Sequence, residues 1–207
     1  MKLSLCLALL LQLILIYLEI RVLKPLKKKC LLRYYTYLQN FLTLVTSCIF
    51  AVCLAAVLVF DADLLPFARG LRYTATCGLT FAAFVYIVLL HSNPKNRISQ
   101  EDFAVSVDPW QMNLLLHVIC PAVSLISFAG PERSIPMDNA IWTGIAAIPS
   151  CLYWVVYLFL SAAHLWQEPY DFSAAPDKKK NVLADILIVV SIPIAFIIIS
   201  SLLWSLC

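Results

Sequence analysis

The sequence predicts an all-α integral membrane bundle of about six transmembrane helices, and three observations lead to that reading. Of the 207 residues, 62% are hydrophobic and only 13% charged, whereas a water-soluble domain averages about 45–50% apolar and about 25% charged. The apolar residues gather into six runs close to the about 20 residues that a helix needs to cross a bilayer. The breaks between the runs carry turn-forming or basic residues. A soluble fold of this size has no interior large enough for so much apolar surface. The whole chain, 1–207, therefore reads as a single transmembrane domain with no soluble appendage.

The first run covers about 3–23. Only Lys2 precedes it, it is longer than a signal-peptide core, and no A-x-A site follows, so a retained helix is expected. The second covers about 35–60, after Lys24-Pro25 and a basic linker. The third covers about 71–90, after a break at Asp61 to Pro66. The fourth is short, about 112–128, and can extend back through Trp110. The fifth covers about 140–163 and the sixth about 182–204. Pro121, Pro149 and Pro193 fall inside these runs. Bundled membrane helices tolerate them because neighbouring helices satisfy the freed carbonyls.

The basic residues orient the bundle. The linkers after the first, third and fifth runs hold eleven of them: Arg21, Lys24, Lys27 to Lys29, Arg33, Lys95, Arg97 and Lys178 to Lys180. The opposite side holds four: Lys2, Arg69, Arg72 and Arg133. The positive-inside rule then puts the richer linkers in the cytoplasm and both termini outside. Such clusters also meet anionic lipid, so membrane lipids are the expected partners. The modest net charge of +3 gives no indication of nucleic acid binding. The eight cysteines form no CxxC pair and mostly sit inside apolar runs, where they act as small hydrophobes. Neither a metal nor a cofactor is indicated.

In this topology the second, fourth and sixth helices start at one membrane face. The second opens with Thr36 and Asn40, four apart and so on one helical face, with Thr43 continuing the stripe. The fourth opens with Asn113 and His117, again four apart. An imidazole in an apolar helix is costly unless it faces a partner or a wet cavity. The sixth carries Asp185 about one turn after the lysine run, where an acid complements the helix dipole and pairs with those lysines. His91 and His164 sit at helix ends and read as interfacial. Helix-end tyrosines and tryptophans read as an aromatic belt. A hydroxyl nucleophile needs a base within reach and donors for the oxyanion. Thr36 can attack, His117 can act as base and then acid, Asn40 or Asn113 can donate, and Asp185 is a candidate to orient the histidine. The structural alternative is that threonine bonds back to its own helix and asparagine joins helices together.

The segment Arg33 to Asn40 followed by an apolar helix resembles the second-helix motif of the androgen-induced protein family. That family includes the androgen-dependent TFPI-regulating protein and short bacterial six-helix relatives. Asn113 to His117, then Pro121, resembles its fourth-helix motif. Pro149 to Tyr157 is similar to the fifth helix of the bacterial members, and Trp166 to Phe172 to the aromatic-proline segment after it. The resemblance implies a six-helix fold. It also implies a threonine hydrolase of fatty acid esters of hydroxy fatty acids, with Thr36 matching the nucleophile and His117 the histidine. The bacterial relatives imply a bacterial plasma membrane. The chain then reads as a hydrolase, or a related acyltransferase, of fatty acyl esters. The alternative from another class is a non-catalytic transporter, lipid-binding scaffold or sensor with a polar pocket in the membrane.

Overall fold

The computed structural model describes residues 2–31, 34–60, 64–91, 99–137, 139–163 and 182–206; within 182–192 only the backbone path is described. Among these residues the architecture is all-helical, with one isolated β-bridge and no strand. The helices are α1 (Lys2–Leu23), the single turn α2 (Lys28–Leu31), α3 (Tyr35–Phe60), α4 (Leu65–Val85), α5 (Pro109–Leu114), α6 (Cys120–Ala129), α7 (Ile141–Ala162) and α8 (Val182–Trp204). Two π-helical turns complete the long spans. One, Tyr86–Leu90, extends α4; the other, Leu115–Ile119, joins α5 to α6. Among the described residues, four helical stretches are long and apolar enough to cross a membrane: Lys2–Leu23, Tyr35–Phe60, Leu65–Val88 and Pro109–Ser134. α3 alone, at 26 residues, is about 39 Å long against a hydrocarbon core of about 30 Å.

α4 is the most buried and the least apolar of the four. It packs against α3, α6, α7 and α8 and is therefore the hub of the bundle. Two glycines allow the close approach. A Cβ on Gly70 would lie 2.0 Å from the Trp142 ring of α7, and one on Gly78 would lie 2.0 Å from Gln39 Oε1 of α3. The aromatic core gathers around α4, with Tyr35, Tyr73, Phe81, Tyr86, Phe128 and Tyr153 all buried in one cluster. The outward faces carry exposed large apolar residues such as Leu10, Val52, Val59, Phe84 and Leu152.

The third helix begins six residues before the expected 71, because Pro66 sits in its first turn rather than ending a loop. Arg69 is therefore a helix residue, as Arg72 is. Both lie inside α4 with no exposed surface. The π turn at Leu115–Ile119 has a sequence cause. Pro121 has no N–H for the carbonyl of His117 four residues back, and Cys120 N–H bonds instead to Leu115 O, five back. Asp108 starts α5 by accepting from Trp110 N–H at 2.9 Å, with Pro109 in the first turn.

On one side of the bundle, the linker after α1 is fastened to the loop before α5. Leu26 and Phe103 form the antiparallel bridge. Lys27 N–H donates to Asp102 O at 2.9 Å, and Ala104 N–H to Pro25 O at 2.8 Å.

Candidate functional site

Thr36 lies in the first turn of α3 and is buried. It is held between two anchored aromatics. The Tyr35 hydroxyl and Ser150 Oγ of α7 are 2.6 Å apart. Tyr37 packs with Met112, Leu115 and Leu116 of the fourth span. Asn40 is fully buried, and its Nδ2 donates to the Thr36 carbonyl at 2.8 Å. Thr43 Oγ1 likewise donates to Gln39 O at 2.8 Å. The expected Thr36–Asn40–Thr43 stripe is present, and one amide proton of Asn40 is committed to its own helix.

His117 sits in the π turn of the fourth span and is 5% exposed. Its ring lies flat on Tyr86, at the start of the other π turn, with centroids 3.6 Å apart and planes within 8°. Asn113 Nδ2 donates to the Tyr86 hydroxyl. His91 Nδ1 is 3.5 Å from the same hydroxyl. Three polar side chains from two helices thus converge on Tyr86, a residue that sequence reasoning passes over as one more aromatic. Asn113 and His117 share a face as their spacing predicts.

α3 contacts the π turn that carries His117. Among the described residues no hydrogen bond joins Thr36 to His117. Four polar atoms on α3, α5 and the π turn have no hydrogen-bond partner among the described residues: Gln39 Nε2, Asn40 Oδ1, Asn113 Oδ1 and His117 Nδ1. Buried polar atoms normally find partners, and these four find none among the described residues. Asp185 lies in α8 with its side chain outside the described residues, as are His164, Lys178 to Lys180 and the segment 166–172.

A second polar layer crosses the bundle further along α4. Arg72 Nη2 is 3.6 Å from Glu132 Oε1, and neither side chain has any exposed surface. Gln12 Nε2 of α1 donates to Glu132 Oε1 at 2.8 Å and to Ser127 Oγ at 2.9 Å, and Ser127 Oγ donates to Glu132 Oε1 at 2.6 Å. Arg72 Nη2 donates to Ser124 Oγ at 3.1 Å and Nη1 to Ser47 Oγ at 3.4 Å. Arg69 Nη1 donates to the Ile135 carbonyl, and its guanidinium lies 5.3 Å from the Phe128 ring centroid. Glu19 of α1 is fully buried, beside the Cys120 thiol and within the field of Arg72. Fourteen residues separate Arg72 from Tyr86, about 21 Å along a helix, so this layer is distinct from the Thr36–His117 end. The spacing of Arg69, Arg72 and Thr76 was its available signal: one face of a helix. Among the described residues no group of His, Cys, Asp or Glu could hold a metal ion.

Comparison of the chain with family models, with curated proteins and with solved structures finds no match.

Proposed function

We propose that the chain is a six-span membrane protein that cleaves fatty acyl esters from within the bilayer, with Thr36 as nucleophile and His117 as general base. The observation that carries this reading is the buried, unpartnered Nδ1 of His117, on a turn packed against the helix that presents Thr36. Leaving a polar atom dry and unpaired costs about 1–3 kcal/mol, and such atoms inside membrane spans mark function.

In the reaction, the Thr36 Oγ–H proton passes to His117 as Oγ bonds to the acyl carbon. The acyl carbon–alkoxy bond then breaks, and the leaving alcohol takes the proton back from His117. Water, deprotonated by the same imidazole, releases the fatty acid and restores Thr36. Transfer to an alcohol acceptor instead of water would make the same site an acyltransferase. Tyr86 and Asn113 hold the imidazole plane. Asn113 and Asn40 are the amides available to the oxyanion. Thr36 and His117 must close to about 2.6–3.2 Å when substrate is bound, a contact that substrate-free sites often leave open.

The wider architecture belongs to the same proposal. α7 and α8 supply the fifth and sixth spans. With Arg69 and Arg72 inside α4, the sparse side of the charge balance keeps only Lys2 and Arg133, which supports an orientation with both termini opposite the basic linkers. Purified Thr36→Ala and His117→Ala proteins, assayed separately against lipid esters, test the site. Each should lose about 10²–10⁴-fold in turnover. Full activity in either rejects it.

One observation favours a second reading. The Arg72–Glu132–Gln12 layer, with Glu19 nearby on α1, is the kind of buried charge cluster that lines ion or proton paths. If the protein is a transporter, reconstituted vesicles should move protons or small ions, and Glu132→Gln should abolish that flux while Thr36→Ala leaves it intact.

A further inference from the structure

We propose that the junction of α1 and α3 is a binding site for one anionic phospholipid. A cavity of about 310 Å³ opens there, with Ile20, Leu23, Phe41 and Leu44 as its apolar wall. Lys24, Lys27 and Lys28 complete the lining, and no lining residue is acidic. Ile20 and Phe41 are also exposed on the outer surface of the bundle, so the cavity opens sideways along the lipid-facing side of α1 and α3. The occupant must carry negative charge at one end and a long apolar chain at the other. A soluble anion has no use for the apolar wall, and a neutral lipid leaves the lysines without a counter-charge.

The lysines are mounted on a fixed frame. The Leu26–Phe103 bridge and its flanking hydrogen bonds fasten the linker to the loop before α5. Lys27 Nζ donates to the Glu101 carbonyl at 2.6 Å. Lys24 and Lys28 remain exposed at the mouth. A frame held by backbone pairing fixes the chain that carries both lysines before any ligand arrives, which spares part of the ordering entropy on binding. The site stands apart from the Thr36–His117 chemistry and from its outcome.

The test is native mass spectrometry of the full chain in neutral detergent, titrated with phosphatidylglycerol and, separately, phosphatidylcholine. The wild type should retain one phosphatidylglycerol in clear preference to phosphatidylcholine. Lys24→Gln with Lys28→Gln spares the Lys27 clasp and should weaken that binding about thirtyfold. Leu44→Trp fills the wall without changing charge and should weaken it too, while helical content by circular dichroism stays at the wild-type level. Equal retention of both lipids overturns the proposal. So does unchanged binding in a folded Leu44→Trp protein, which would mean diffuse attraction to a basic linker. Full displacement of the lipid by glycerol phosphate at equal concentration would also overturn it, because the site would then recognise soluble phosphate.

Discussion

The imidazole of His117 lies flat against the ring of Tyr86, 3.6 Å between centroids, and each residue occupies a π-helical turn of a different span. π turns inside α-helices are rare and concentrate at functional sites. Here two of them face each other, and between them they fix the plane of the only histidine that is buried among the described residues.

Tyr86 should therefore be separable into a ring and a hydroxyl. Tyr86→Phe keeps the stack and removes the group that accepts from Asn113. Tyr86→Leu removes both. In the ester assay, Tyr86→Phe is expected to lower turnover about tenfold or less, and Tyr86→Leu to approach the His117→Ala level. Equal activities for Tyr86→Leu and wild type would remove Tyr86 from the site.

Pro121 should control the shape of the turn at His117. Pro121→Ala supplies the missing N–H to the His117 carbonyl and lets the turn close to α-helical pitch. Ester turnover should fall, and thermal stability in detergent with it, because α-helical pitch turns the Ser124–Ser127 half away from Arg72. A variant as active as wild type would show that the π turn is incidental.

Breaking the buried ion pair should be more harmful than removing it. Arg72→Met leaves Glu132 dry and without its cation, at a cost of about 3–5 kcal/mol. Arg72→Met combined with Glu132→Gln should recover a large part of that loss. Denaturation midpoints of the two single variants and the double variant, read as a double-mutant cycle, measure the coupling. Additive losses would mean that the pair carries no stability of its own.

Gly78 should resist any side chain. A Cβ there meets Gln39 Oε1 at 2.0 Å, so Gly78→Ala should destabilise by about 1–3 kcal/mol by pushing α3 from α4. Gln39→Ala in the same chain should restore most of it. Without that rescue, the contact between the helices is not set at this position.

Hydropathy makes the long helices legible in the sequence, because spanning helices need nothing more specific than length and apolarity. α3 falls on the expected residues 35–60, and the fourth span extends back to Pro109 through Trp110. The start of α4 was harder to read, since Pro66 and Arg69 resemble a loop to any rule that scores polarity alone. What brings the arginines inside is tertiary: Glu132, Ser124 and the Ile135 carbonyl come from 52 to 66 residues further along. The pairing of Asn113 with His117 follows from helical spacing, but the aromatic that both meet comes from another span, and nothing near it in sequence announces the contact. The amide of Asn40 was legible as a polar group and not as one that bonds back to Thr36.

Each widened turn takes up one surplus residue, and a residue is about 100° of helix. The two halves of such a span therefore keep independent phase: Met112 faces inward before the turn, and Cys120, Ser124 and Ser127 after it. Removing one residue between 115 and 119 would leave an unbroken helix of nearly the same length. It would also swing the serine-bearing half away from Arg72, so that whichever half kept its seat in the bundle, the other would be turned outwards.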